Sequence, residues 1–131
     1  MLLMERWRDG MHYFSVPGGG IEAGETPEQT VTREIIEETT VEVTPKRLII
    51  LARDGDREHR IYLCDYKSGE PVLPVASPEA LDKDPRNQFR PTWIPQNDWK
   101  ELPLLYWEPL RAAITDGLQN GFPEQPIELT M

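Results

Sequence analysis

Three glutamates at helical spacing are the residues of this sequence best suited to chemistry. Glu34, Glu37 and Glu38 occupy positions i, i+3 and i+4, so a helix would project all three carboxylates from one side. Like charges so placed repel each other by about a few tenths of a kcal/mol per pair, and a cation between them would relieve that repulsion. Carboxylate oxygens are ligands that Mg²⁺ and Mn²⁺ prefer, and such an ion can polarise a phosphoryl oxygen and activate an attacking water.

The alternative interpretation of these glutamates is a solvated acidic helix face. Against it, Val31, Ile35 and Glu38 lie at i, i+4 and i+7, so Glu38 stands where an apolar stripe calls for a hydrophobic residue. A carboxylate at that position needs a partner. Glycines at residues 18–20 precede the helix and would let backbone groups approach an ion or a phosphate closely, although a glycine triplet by itself indicates only a turn.

The elements that must position the glutamates follow from local signals. Thr26 is predicted as the N-cap, Pro27 as the first helical residue and Gln29 as the capping-box partner of a helix that runs to Thr39. Strands are predicted at residues 2–8, 12–16, 41–43, 48–52, 59–66 and 89–94, and a second helix at residues 109–119. An irregular loop is predicted for residues 67–91, and a loosely held tail beyond residue 123.

Length and charge limit the classes of function. With 131 residues, the chain is expected to form a single domain over residues 1–131. The formal net charge is -9 and no basic run is long enough to follow a phosphate backbone, so long nucleic acid is not expected as a partner. Divalent ions would still let an acidic chain bind a small polyanion. A single cysteine, Cys64, and no apolar stretch of ~18 residues favour a soluble, cytoplasmic protein without a membrane partner.

The segment of residues 19–41 reads GGIEAGETPEQTVTREIIEETTV. It resembles the Nudix box in its first glycine, its arginine, all four glutamates and both aliphatic positions, which are Gly19, Glu25, Arg33, Glu34, Ile35, Glu37, Glu38 and Val41. One position departs from the family pattern, because Thr40 stands where the family usually has glycine. Threonine resists the positive φ that a glycine adopts at the end of a helix.

The resemblance implies a fold and an activity. The fold would be a Nudix-like α/β/α sandwich with a mixed sheet and two main helices. The activity would be that of a Nudix-type pyrophosphohydrolase, which cleaves a diphosphate linkage in a nucleoside diphosphate-X substrate. Nucleoside triphosphates, ADP-ribose or sugar nucleotides, and dinucleoside polyphosphates all remain open as this small nucleotide-like substrate.

The resemblance also implies roles for individual residues. Glu34, Glu37 and Glu38 would hold Mg²⁺ or Mn²⁺, with the Gly18 carbonyl as a further ligand, and Arg33 would orient the glutamates through a salt bridge. Members of the family often take a general base from a distant loop. Glu79 is the candidate in the loop predicted at residues 67–91, and the alternatives are Asp82, Asp84 and Glu38.

Several alternatives stay open. The family has another strand before the segment that begins here at Met1, so the chain is expected to lack that first strand or to take its equivalent from a partner subunit, which allows a homodimer. The same fold could also serve as a catalytically inactive nucleotide-sensing or interaction module, although the intact glutamates argue against it. Trp93, Tyr106 and Trp107 are candidates for stacking on a base, with packing in the core as the alternative.

Overall fold

The computed structural model describes residues 1–72, 86–104 and 106–131. Within those ranges the chain forms two α-helices, α1 (Pro27–Thr39) and α2 (Glu108–Asn120), and one 3-10 helix (Gln96–Glu101). The strands are β1 (Leu2–Arg8), β2 (Met11–Ser15), β3 (Glu42–Asp54), β4 (Arg57–Ser68), β5 (Asn87–Trp93) and β6 (Ile127–Thr130). None of the helices in this described part of the chain has the length and hydropathy needed to cross a bilayer.

The strands form two three-stranded sheets. The first has the order β2-β1-β5 and is antiparallel throughout. The second has the order β4-β3-β6, in which β3 and β4 are antiparallel and β6 runs parallel to β3. The predicted α/β class with two main helices is confirmed, and its strands are divided between one antiparallel and one mixed sheet.

Three sequence predictions about the strands need correction. Residues 42–54 form the single strand β3 where two short strands were predicted. The bounds of the predicted loop 67–91 are wrong at both ends, because β4 continues to Ser68 and β5 begins at Asn87, while residues 73–85 lie outside the described residues. The tail is not loosely held, because Ile127 pairs with Ile50 and Leu129 pairs with Ala52 in the mixed sheet.

The main hydrophobic core lies where the two sheets and α2 meet. The first sheet contributes Leu3 and Phe14, both buried. The second sheet and the helical segments contribute the rest of this cluster, which is Ile49, Ile50, Ala52, Trp99, Leu110 and Ile114. Burial of these apolar side chains against one another holds the sheets in a fixed relation.

A smaller apolar cluster anchors α1. Ile35 of the helix is buried with Val41 and Val43, and Val31 packs against the same cluster. The side chains on this stripe turn one side of α1 toward β3. The helix is therefore oriented by its apolar residues, which leaves its glutamate-bearing side toward the glycines that precede it.

Both ends of α1 are fixed by local hydrogen bonds. The Thr26 hydroxyl accepts from Gln29 N at 3.1 Å, and the Gln29 side chain accepts from Thr26 N at 2.9 Å, which is the predicted capping box. At the other end Thr40 adopts a left-handed conformation with φ of 63°. Its hydroxyl donates to the Glu70 carbonyl at 2.7 Å, a bond that helps to offset the steric cost of a β-branched residue there.

Candidate active site

The glycine turn, residues 18–20, lies directly against two carboxylates of α1. The backbone N–H of Gly18 donates to Glu38 Oε2 at 3.0 Å. A Cβ added at Gly19 would lie 2.6 Å from Glu34 Oε2 and closer still to the carboxyl carbon, so a larger residue would displace the Glu34 carboxylate from its present position. The turn and the helix thus bring Glu34 and Glu38 together, as their helical spacing predicts.

Arg33 is the cation at the centre of the acidic cluster. Its Nη1 donates to Glu34 Oε1 at 2.9 Å and to Glu37 Oε2 at 3.0 Å. Its Nε and Nη2 donate to the two oxygens of Glu25 at 2.5 and 3.0 Å, and Nη2 also donates to the Gly20 carbonyl at 3.1 Å. The planar guanidinium forms these bonds in several fixed directions at once, which a lysine could not do.

Glu25 is held as a carboxylate by four donors. Besides the two bonds from Arg33, it accepts from the Thr30 hydroxyl at 2.8 Å and from Glu22 N at 2.9 Å. The hydrogen bonds from Arg33, and then that from Glu22, lower the pKa of the Glu25 carboxyl from 4.5 to about 2. The same pairing raises the pKa of the Arg33 guanidinium further above its ordinary value. Glu25 therefore fixes Arg33 and is a poor candidate for a general base.

A cavity of about 460 Å³ opens beside the glycine turn. It lies between the two sheets, and its wall includes the turn, residues of β4 and the end of β5. Apolar and aromatic side chains make up most of the lining, among them Leu2, Val31, Tyr62, Tyr66 and Trp93. Its volume and its apolar character are typical of a site for a small organic ligand.

Comparison with known proteins identifies the family to which this chain belongs. The model of the NUDIX domain matches residues 1–114 of the chain. The chain belongs to the Nudix hydrolase family. Relatives of this Nudix chain include the NAD-capped RNA hydrolase NudC of Enterobacter sp. (strain 638) and that of Salmonella agona (strain SL483). Each is 32% identical over 102 residues, which cover 76% of this chain and 34% of the relative. The chain thus spans about a third of the length of these curated relatives.

Solved structures confirm the Nudix fold. A MutT structure described for Aliivibrio salmonicida and Vibrio cholerae has a TM-score of 0.66 at 20% identity, covering 88% of this chain and 84% of that one. An ADP-ribose pyrophosphatase from Streptococcus suis has a TM-score of 0.63 at 16% identity, covering 99% of this chain and 88% of that one. At these identities the likeness concerns the fold alone.

The donor chemistry of the Nudix box fits a divalent cation. Glu34, Glu37 and Glu38 carry hard carboxylate oxygens on one turn of helix, and Glu38 is bonded to the backbone N–H of Gly18. In residues 1–72, 86–104 and 106–131, however, no three acidic, histidine or cysteine side chains already form a metal cluster. Arg33 Nη1 instead bridges Glu34 and Glu37, so an entering ion would meet carboxylates that already share a positive charge.

The other residues singled out from the sequence have mixed outcomes. Glu79, Asp82 and Asp84 lie outside the described residues. Tyr106 is partly buried and accepts a hydrogen bond from Val16 N, and desolvation raises the pKa of its hydroxyl to about 12. Tyr106 packs against the main hydrophobic core, which was the alternative interpretation for this aromatic residue.

Two features of the site were not predicted. Thr30 is 4% exposed, and its hydroxyl binds Glu25. The signal available in the sequence was its position on the predicted helix, between Glu25 and Arg33. Tyr66 was not predicted because its place on the cavity wall depends on how the two sheets meet, and that cannot be read from β4 alone.

Proposed function

We propose that this chain hydrolyses a diphosphate linkage in a nucleoside diphosphate derivative, with Mg²⁺ or Mn²⁺ as cofactor. The observation that carries the proposal is the convergence of Glu34 and Glu38 on the glycine turn, with Arg33 joining Glu34 to Glu37. A carboxylate cluster with an adjoining apolar cavity suits a ligand that has a charged diphosphate and an uncharged remainder.

In the proposed reaction, water attacks one phosphorus of the diphosphate and the bond from that phosphorus to the bridging oxygen breaks, which yields two phosphate products. Glu34, Glu37, Glu38 and the Gly18 carbonyl are the groups that would hold the cation. The chemistry that the cation supplies when bound is neutralisation of phosphate charge and activation of the attacking water. Arg33 orients Glu34 and Glu37. Glu79 remains the proposed general base.

The names of the relatives and the charge of the chain support one proposed substrate class. The curated relatives are named for NAD-capped RNA, and one structural neighbour is named for ADP-ribose. The chain has a net charge of -9 and no long basic run. We therefore favour a small dinucleotide or ADP-ribose as substrate over a long RNA. Comparing NAD with an NAD-capped RNA as substrates separates the two.

The test is a substrate panel with product identification, run with Mg²⁺, with Mn²⁺ and with chelator. It should contain nucleoside triphosphates, ADP-ribose, NAD and a dinucleoside polyphosphate. Glu37→Gln and Glu38→Gln should each lower turnover by about 10²-fold or more, as expected for loss of groups that stabilise transition-state charge. Glu28→Gln is the matched control, because Glu28 lies on the same helix and contacts Tyr62 rather than the cluster.

Two results would count against the proposal. Near-normal activity of both variants, on a substrate that the wild type accepts, would remove the box glutamates from the mechanism. Nucleotide binding without metal-dependent release of any phosphate product would instead support the alternative, a catalytically inactive nucleotide-sensing or interaction module of the same fold.

A further inference from the structure

Two exposed aromatic side chains meet across the gap between the sheets. Tyr66 is on β4 and Trp93 ends β5, so each belongs to a different sheet. Their ring centroids are 5.6 Å apart with an interplanar angle of 77°, an edge-to-face contact. Yet Tyr66 is 55% exposed and Trp93 is 43% exposed. Exposure of aromatic surface to water is unfavourable, and a patch of neighbouring exposed aromatic side chains is typical of a binding site.

The two rings are held in place and are still partly exposed to solvent. The Tyr66 hydroxyl donates to the Gly69 carbonyl at 2.7 Å, which fixes the tip of that side chain. Trp93 is in register with Leu2 of β1, so its backbone belongs to the first sheet. An edge-to-face contact covers a face of only one of the two rings. A planar ligand could therefore stack on the pair without displacing either ring.

Other aromatic residues in or near the cavity wall already have partners. Tyr62 is partly buried, and its hydroxyl donates to Glu28 Oε1 at 3.1 Å. Trp99 is 2% exposed, and its Nε1 donates to Thr115 Oγ1 at 2.9 Å. Tyr106 is engaged by Val16. Tyr66 and Trp93 also line the same cavity as the glycine turn that contacts Glu34 and Glu38. The cavity thus has the glycine turn, where the diphosphate is proposed to bind, at one end and the Tyr66–Trp93 pair at the other.

We propose that Tyr66 and Trp93 bind the planar heteroaromatic ring of a nucleotide whose diphosphate lies at the glycine turn. The inference rests on the proposed function and names the part of the substrate that the box glutamates do not recognise. A nucleobase and a nicotinamide ring share the required chemistry, a flat π-surface that stacks on aromatic side chains. Trp93 offers the larger ring and is the main platform.

The first experiment measures binding without turnover. Isothermal titration with AMP, and separately with nicotinamide mononucleotide, would compare the wild type with Trp93→Ala, Trp93→Phe and Tyr66→Ala. Each alanine variant should weaken the preferred mononucleotide by about 10-fold or more, and Trp93→Phe should retain most of the affinity. Circular dichroism and thermal unfolding establish that each variant is folded. The stronger mononucleotide identifies the ring that the pair binds.

The matched control is Trp7→Ala. Trp7 is 36% exposed on the same sheet as Trp93, but it stacks on His12 with a centroid distance of 5.0 Å and does not line the cavity. Affinity for both mononucleotides should be unchanged in this variant. Equal loss in Trp7→Ala and Trp93→Ala, or no loss in folded Trp93→Ala, would overturn the assignment.

A second readout separates this inference from the proposed function. For an enzyme that is active on ADP-ribose, Trp93→Ala should raise KM for ADP-ribose by about 10-fold and leave kcat nearly unchanged. KM for 5-phosphoribosyl 1-diphosphate, which has a diphosphate but no aromatic ring, should not change. If no diphosphate is hydrolysed but AMP binding still depends on Trp93, the proposed reaction fails and the aromatic subsite stands. If ADP-ribose is hydrolysed and Trp93→Ala has the same KM for it as the wild type, the aromatic subsite is refuted and the proposed reaction stands.

Discussion

Replacing Gly19 with alanine tests whether the position of the Glu34 carboxylate matters for catalysis. The added Cβ would lie 2.6 Å from Glu34 Oε2, whereas ordinary contact begins at 3.4 Å. The carboxylate would therefore have to move by about 1 Å, which would also disturb its 2.9 Å bond from Arg33. The carboxyl group is the far end of a flexible side chain, so it can move while the fold is retained.

Misplacement of a catalytic group by about 1 Å can lower a rate by about 10²-fold, and this is the loss of kcat/KM expected for Gly19→Ala. The free energy of unfolding should change by less than about 1 kcal/mol, because alanine also restricts the unfolded chain. The assay is metal-dependent hydrolysis of the best substrate from the panel, together with chemical denaturation of the same preparations.

Gly20→Ala is the matched control, since a Cβ there meets nothing within 4 Å. It should retain activity within a few-fold of the wild type. If Gly19→Ala is as active as Gly20→Ala, the close approach between the turn and Glu34 has no part in catalysis. If both variants lose activity equally, the effect belongs to the turn as a whole and the reasoning about Glu34 is wrong.

Three further predictions concern stability. The lowered pKa of Glu25 means that its contribution is fully present above pH 4.5 and is lost as pH falls toward about 2, so Glu25→Gln should flatten the acid side of the pH profile of unfolding. A Cβ at Gly117 would overlap the Phe122 ring, so Gly117→Ala should destabilise by about 1–2 kcal/mol in urea denaturation, and Phe122→Leu in the same chain should restore part of the loss. Thr40→Ala should cost about 1 kcal/mol, because it removes the hydroxyl bond and keeps φ positive, whereas Thr40→Gly, which relieves the strain, should cost less by the same measurement.

Features set by neighbours in sequence were predictable. The start of α1 was predicted to the residue because Thr26 and Gln29 cap the helix through contacts three residues apart. The grouping of the box glutamates followed from helical periodicity alone. The departure at Thr40 was also visible in the sequence, and the structure adds that threonine takes the left-handed conformation there.

Features that depend on distant pairing were not predictable. The segment of β6 has only four residues and lies just after a proline-rich stretch, so it carries little strand signal of its own. It becomes a strand because β3 offers an edge to pair with, more than seventy residues earlier in the chain. The partners of Arg33 could be inferred as acidic, but their division between Glu25, Glu34 and Glu37 required coordinates.

The hydrogen bonds that assemble the glycine turn and the acidic cluster join residues no more than 20 positions apart. Contacts of such short loop length form at low entropic cost, so this segment can organise early in folding. The aromatic pair on β4 and β5 is different, because it exists only once both sheets have come together. The cation-binding groups of the proposed reaction therefore lie on one continuous segment of sequence, and the proposed ring-binding pair lies on two strands outside it, so substitutions can alter one without touching the other.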